Sequence, residues 1–455
     1  MNRFGTAGDP SLRSVAESAI IDYFLALGFP FEVRQDRLRQ ATQAVQTCLN
    51  RLIDLGLPFR QKDHGQCFFD PIEAINFMKW TGIHEGDPFW SDHYIPTARR
   101  HVLMQDSDWA TGGAPPGAQD LPVRRFSLKV TRRFNLASFE PGQPVRLRMP
   151  LPLEKGALSK LQLGIVSVPE IPGKISLIPG RLEARLEVPA SQKVSLSYWA
   201  EFESRGSLGD GAISDIRPAL TADEASLYTQ PMEGFIHVSP RVIDLAQQLA
   251  GHHATKRDAV LTIWDFVMDH LFFGMIHYHE INMAAPMDWL LDHVWSDCQL
   301  GSALMASLCR ALKIPARICG GHKLYQMVPD QHFWLEVWLE DTGWTSFDIA
   351  SWDIAAGGRD AGWRNYFRGA MDYRVTTECF PRTFAGAMSL RLPAQWHMMT
   401  ALSENGLRNI FGDSTTGKTI YEDEIMVHPL GLPRDEIPGN VSSLKQIPSH
   451  QGDGL

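Results

Sequence analysis

Between residues 122 and 225 the large apolar residues fall at every second position, as in "RRFSLKVTRRFNL", "RLEARLEV" and "KVSLSYWAEF", with Pro and Gly between the runs. Successive side chains of an extended chain point to opposite faces, so this spacing predicts an antiparallel β domain with one buried face. From about residue 231 the spacing changes to that of helices, in "PRVIDLAQQLA" and "KRDAVLTIWDFVMDHLFF". A chain that changes period in this way is expected to be α+β. With 455 residues there is room for two or three domains, each with its own core.

Residues 11–28 and 33–56 also carry helical spacing, and a turn-rich piece, "GLPFRQKDHGQCFFDP", follows them. Two helices and a hairpin resemble a winged helix. Over residues 1–75, however, eight Lys/Arg face nine Asp/Glu, so no basic footprint supports DNA binding and a small helical docking domain is expected. "DSDWATGGAPPGAQDLP" reads as a linker. The predicted division is a helical domain over 1–105, a linker over 106–121, an antiparallel β domain over 122–228, a catalytic domain over 229–440 and a disordered tail over 441–455.

The net charge of −9 argues against binding to a phosphate backbone. No stretch reads as a membrane span or a secretion signal. The six cysteines, at 48, 67, 298, 309, 319 and 379, form no C-x-x-C pair, so neither a disulfide framework nor a zinc site is suggested. A reducing, cytoplasmic compartment is expected. There a single cysteine can serve as a nucleophile.

One candidate is Cys298, in "SDCQLGSALMASLCRALKIPAR" (296–317). Leu300, Leu304, Leu308 and Leu312 recur at i, i+4, and Gly301, Ser302, Ala303 and Ala306 are small, which predicts a buried helix. Ser296 or Asp297 would cap it and "KIP" would end it, placing Cys298 in the first turn. Unpaired N–H groups and the helix dipole favour a thiolate there, and the same groups can bind an oxyanion. Cys309 and Cys319 read as ordinary buried cysteines.

"DQHFWLEVWLEDTGWTSFDIAS" (330–351) reads as a hairpin with strands near 332–340 and 344–349. Alternation places His332, Trp334, Glu336 and Trp338 on one face, and Asp348 on the face opposite to Phe347 and Ile349. Pairing about the turn leaves His332 and Asp348 two or three residues out of register, which a diagonal contact or bulge would absorb. A carboxylate beside an imidazole fixes its tautomer and stabilises its charged form.

The order Cys, 34 residues to His, 16 to Asp resembles the transglutaminase-like superfamily. "HFWLEVWLEDTGWTSFDIAS" is similar to its H-x-W-x-E-V and G-W-x-x-F-D signature, and "CQLGSALMASLCRALKIPARICGG" to its nucleophile helix. The likeness is specific over about 255–350. It implies a papain-like core, a central helix on an antiparallel sheet, with Cys298 as nucleophile, His332 as general acid/base and Asp348 as its orienting partner. Two positions depart from the pattern: Ser296 replaces a Gly two before the Cys, and Ile349 replaces a Pro after the Asp. The implied chemistry is acyl transfer through a thioester enzyme. Amide formation in small-molecule biosynthesis, from an acyl donor such as a carrier-protein-tethered thioester to an amine, ranks ahead of peptidase or amidase action, and "DYRVTTECFPRTFAG" (372–386) resembles stand-alone proteins of that kind. A non-catalytic binding scaffold is the third reading.

Two further motifs point elsewhere. "GDSTTGKT" (Gly412 to Thr419) spells a phosphate-binding loop, but "IYEDEIMVHPLGLP" after it alternates like a strand, so a hairpin without nucleotide is expected. "HYHE" (His277, His279, Glu280) would need His293 or His322 to complete a metal site, but the spacing matches no recognised ligand set and a structural or pocket role is expected. No cofactor or metal is expected.

Overall fold

The computed structural model describes residues 47–58, 60–61, 67–68, 71–83, 119–120, 123–166, 173–208, 219–324, 331–350, 368–369, 373–380, 396–403, 406–413 and 418–430. The first predicted helix, most of the linker and the predicted tail lie outside these residues. Residues 47–54 are helical, with Leu49 and Leu52 buried, and an antiparallel pairing of Arg60–Gln61 with Cys67–Phe68 leads to α1, Pro71–Thr81.

The alternating segment forms six strands: β1 (Arg124–Asn135), β2 (Pro144–Pro150), β3 (Leu158–Val166), β4 (Gly173–Ile178), β5 (Arg181–Glu187) and β6 (Lys193–Ser204). Phe126, Leu128 and Val130 of β1 face inward with Leu196, Tyr198, Ala200 and Phe202 of β6, as period-two spacing requires. The order β2-β5-β4 makes a small sheet whose Leu147, Met149, Leu182 and Ala184 join the same core.

Next come α2 (Pro240–Ala250), α3 (Lys256–His270), α4 (Pro286–His293) and α5 (Cys298–Ala311). They accompany a four-stranded antiparallel sheet, β9-β8-β7-β10, of β7 (Ala316–Lys323), β8 (Gln331–Leu339), β9 (Gly343–Phe347) and β10 (Arg374–Cys379). Helix α5 packs against β7 and β8, with Leu300, Leu304 and Leu308 fully buried. This is the expected central helix on an antiparallel sheet.

Arg310, fully buried in α5, ties this unit together. Its guanidinium donates to the carbonyls of Ala316 and Gln230 and to Glu233. Replacing it with Leu would leave those acceptors without their donor inside the protein. The expected cost is about 3–5 kcal/mol, read as a lowered urea midpoint; an unchanged midpoint would refute it.

The last strands differ from expectation. β11 (Trp396–Ser403), β12 (Gly406–Asp413) and β13 (Lys418–Leu430) were expected to close the catalytic unit, but they extend the first sheet in the order β11-β12-β13-β1-β6-β3. The reason lies in the inward residues of β13. Ile425 and Val427 are buried, and the fully buried Asp423 accepts from Arg132 Nε and Nη2 at 2.7 and 2.6 Å. β1 supplies the partner for that carboxylate, Asp423 lying opposite Arg132.

Gly412 and Asp413 end β12 and pair with Thr419 and Lys418 of β13; residues 414–417 lie outside the described ones. Lys418 therefore opens a strand, whereas a phosphate loop opens a helix. Lys418→Ala is expected to leave the alkylation rate of Cys298 unchanged. A changed rate would show that the hairpin reaches the thiol. Among the described residues no helix is long and apolar enough to cross a membrane.

Candidate active site

Asp297 caps α5: its Oδ1 accepts from the N–H groups of Gln299 and Leu300 at 3.0 and 2.9 Å. Cys298 is thus the first helical residue, and its side chain is half-buried. Burial pushes the Asp297 carboxyl up, against the N–H groups and the Tyr278 hydroxyl that favour its charged form. Tyr278 donates to Asp297 Oδ2 at 2.5 Å, and burial together with Asp297 holds the phenol well above its ordinary value, so it remains protonated. The first turn of α5 sits directly on the chain after β9. A Cβ at Gly301 would lie 2.7 Å from Ile349 Cδ1, so a larger residue there would require the end of the Ile349 side chain, beside Asp348, to move.

His332 and Asp348 meet diagonally. β8 and β9 pair Leu335 with Phe347, which sets Asp348 opposite Trp334, two residues from His332. The His332 Nε2–H donates to both carboxylate oxygens, each at 2.9 Å. That fixes the tautomer and leaves Nδ1 as the ring nitrogen able to accept a proton.

Behind His332 the sheet is unusually tight. Gly321 of β7 lies opposite it, and a Cβ there would lie 1.9 Å from the Val375 carbonyl of β10. A bulge between Gly320 and Gly321 shifts the register of β10 at this level. Such a shift re-aims side chains beside a site, here Arg374. Arg374 Nη1 lies 2.7 Å from Asp348 Oδ2, and its guanidinium stacks 4.8 Å from the Trp334 ring.

Burial disfavours the charged form of Asp348, but His332, Arg374 and Lys323 outweigh it and hold the carboxyl well below the usual range. Burial is also the main cause that lowers His332, to about 4; Asp348 opposes this, while Lys323 and Arg374 add to it. At neutral pH the pair is a neutral imidazole donating to a carboxylate.

Glu336 of H-x-W-x-E accepts from Arg317 of "IPAR" at 2.9 and 2.5 Å, pinning β8 to β7 on the face that carries His332. The guanidinium of Arg317 also covers the Trp344 ring at 3.7 Å. These tryptophans serve as packing surfaces.

His277, His293 and His322 have separate partners, and the side chain of His279 lies outside the described ones. His277 pairs with Glu73 of α1 at 3.1 Å, His293 bonds the Trp289 carbonyl, and His322 is buried near Asp423 and Arg132. Among the described residues no group of three His, Cys, Asp or Glu could hold an ion. Asn76 of α1 bonds both the N–H and the carbonyl of Met275, each at 2.8 Å, so α1 docks beside His277.

Arg374, Lys323 and Tyr278 escaped the sequence reading. Tyr278 stood in a motif read for its histidines. Arg374 and Lys323 carry one weak signal, a cation at the end of a β-strand.

Residues 243–349 match the family described as Transglutaminase-like superfamily. Among curated proteins the chain is similar to the protein-glutamine gamma-glutamyltransferase of Pseudomonas aeruginosa, 24% identical over 161 residues, which cover 33% of this chain. The match spans only 24% of that relative's length. Among solved structures, a putative cysteine protease from Cytophaga hutchinsonii aligns with a TM-score of 0.44 and 16% identity, over 70% of this chain and 94% of that one. The periplasmic domain of TgpA from Pseudomonas aeruginosa aligns with a TM-score of 0.30 and 18% identity, over 53% of this chain and 92% of that one.

Proposed function

With a transglutaminase-like segment over residues 243–349, we propose that this chain is a cysteine acyltransferase that works through a thioester on Cys298. The observation that carries the reading is the placement of Cys298 at the start of a helix whose first turn is seated on the segment bearing the His332–Asp348 pair. His332 Nδ1 takes the thiol proton, and the thiolate attacks the acyl carbonyl. The Cys298 N–H at the positive helix end holds the oxyanion, and the imidazolium returns its proton to the leaving group. Asp348 keeps Nε2 protonated and stabilises the transient positive ring.

Within this class, amide formation from a thioester donor and an amine, in small-molecule biosynthesis, ranks ahead of hydrolysis. The name of the curated relative is that of a transferase. The deciding experiment offers acyl thioesters with and without amines and follows the intact mass. An acyl adduct on Cys298 that amines discharge to amides supports transfer, while an adduct that only water discharges overturns it. Should Cys298 take no adduct and alkylate no faster than the buried Cys309, the scaffold reading replaces both.

Burial of His332, with Lys323 and Arg374 adding to its effect, sets an expectation for the pH dependence. Below its folded value His332 carries a proton and cannot act as a base, so turnover should persist through pH 6 and fall towards about pH 4. Lys323→Met removes one charge that opposes the imidazolium. The acid limb should then rise by about one pH unit. A limb that stays in place or moves down would contradict this electrostatic account.

A further inference from the structure

The catalytic reading makes no use of a pair of thiols in the same four-stranded sheet as His332. Cys319 of β7 and Cys379 of β10 are register partners on adjacent antiparallel strands, with their sulfurs 3.4 Å apart. The Phe380 N–H donates to the Ile318 carbonyl at 2.9 Å, which makes Cys319 and Cys379 a non-hydrogen-bonded pair. Opposed Cα atoms at such sites are about 4.5 Å apart, inside the span a disulfide requires. The sulfurs need only rotate together.

The two thiols are unequal. Cys319 is fully buried, whereas Cys379 is half-buried and accepts a hydrogen bond from Lys155 Nζ at 3.1 Å. Lys155 comes from the loop between β2 and β3, which a bond from the Leu153 N–H to the Thr376 carbonyl anchors over β10. The other charges here are Arg317 and Glu336, paired with each other, with Glu336 3.6 Å from Lys155. We propose that Cys319 and Cys379 form a redox-active dithiol, in which Cys379 is the attacking thiolate and Cys319 the resolving thiol, oxidised to a cross-strand disulfide by peroxide.

In the first step the Cys379 thiolate attacks hydrogen peroxide, the O–O bond breaks, and a sulfenic acid and hydroxide result. The Cys319 thiol then attacks the Cys379 sulfur, forming the S–S bond and releasing water. The balance is two thiols and one peroxide to one disulfide and two waters. The bond to Cys319 and the charge of Lys155 favour the Cys379 thiolate and hold its pKa below that of an ordinary thiol, while burial pushes Cys319 well up.

The test treats the full chain, carrying Cys298→Ala so that the proposed nucleophile cannot contribute, with dilute hydrogen peroxide at pH 7. Peptides are then mapped without reduction. The expected product is a Cys319–Cys379 link with loss of two hydrogens. Cys319→Ser should stop at a sulfenic acid on Cys379, trapped by dimedone, and Cys379→Ser should leave Cys319 unmodified. Lys155→Met should slow the reaction about tenfold. Absence of the link in a chain that retains its fold by circular dichroism, or first oxidation at Cys319, would overturn the proposal. Because Cys298 is absent throughout, neither result bears on the acyltransferase reading.

Discussion

Cys298→Ala is expected to abolish acyl transfer, by about 10⁴-fold or more in kcat/KM, while the melting temperature stays near that of the parent. The thiol is half-buried at the first position of α5, and the helix is held by the Asp297 cap and by its leucine face rather than by that sulfur. Chemistry and folding therefore separate at this position. Turnover of a thioester probe, run beside Cys309→Ala, makes the check. Residual turnover above about a hundredth of the parent rate would place the nucleophile elsewhere.

Asp348→Asn is the second large effect, and it should appear in two measurements. The neutral amide no longer dictates that Nε2 carries the proton, so kcat should fall by about 10³–10⁴. It also removes the carboxylate that Arg374 and Lys323 face, and burying their charge without it should cost about 3–5 kcal/mol. Adding Lys323→Met to Asp348→Asn should restore part of the stability and none of the rate. If the double variant regains activity, Asp348 acts by charge balance alone and not by orienting the ring.

These residues were legible because their constraints are local. The helix of Cys298 is announced by a leucine row, a cap and small residues within 22 positions. The meeting of His332 with Asp348 follows from strand alternation about one turn. What the chain conceals is long-range pairing. That Arg374 comes beside Asp348 depends on β10 pairing with β7 through a bulge, and no neighbour in sequence records it. The same holds for β13. Its alternation marks a strand, but the pairing of Asp423 with Arg132 links residues 291 apart, and nothing near β13 in sequence points to β1.

That pairing of β13 with β1 also governs how the protein can be made. Ten residues of β1, Arg125 to Phe134, pair with β13, and Cys298, His332 and Asp348 are all encoded between the two strands. As the ribosome releases the chain from its N-terminal end, β1 and β6 can pair early, but the other edge of β1 stays open until residue 430 has emerged. An edge of that length is a template for pairing between nascent chains. A chain terminated before residue 396 would retain Cys298, His332 and Asp348 and still be expected to aggregate during synthesis. Supplying residues 396–430 as a separate strand-forming peptide is the direct means of rescue.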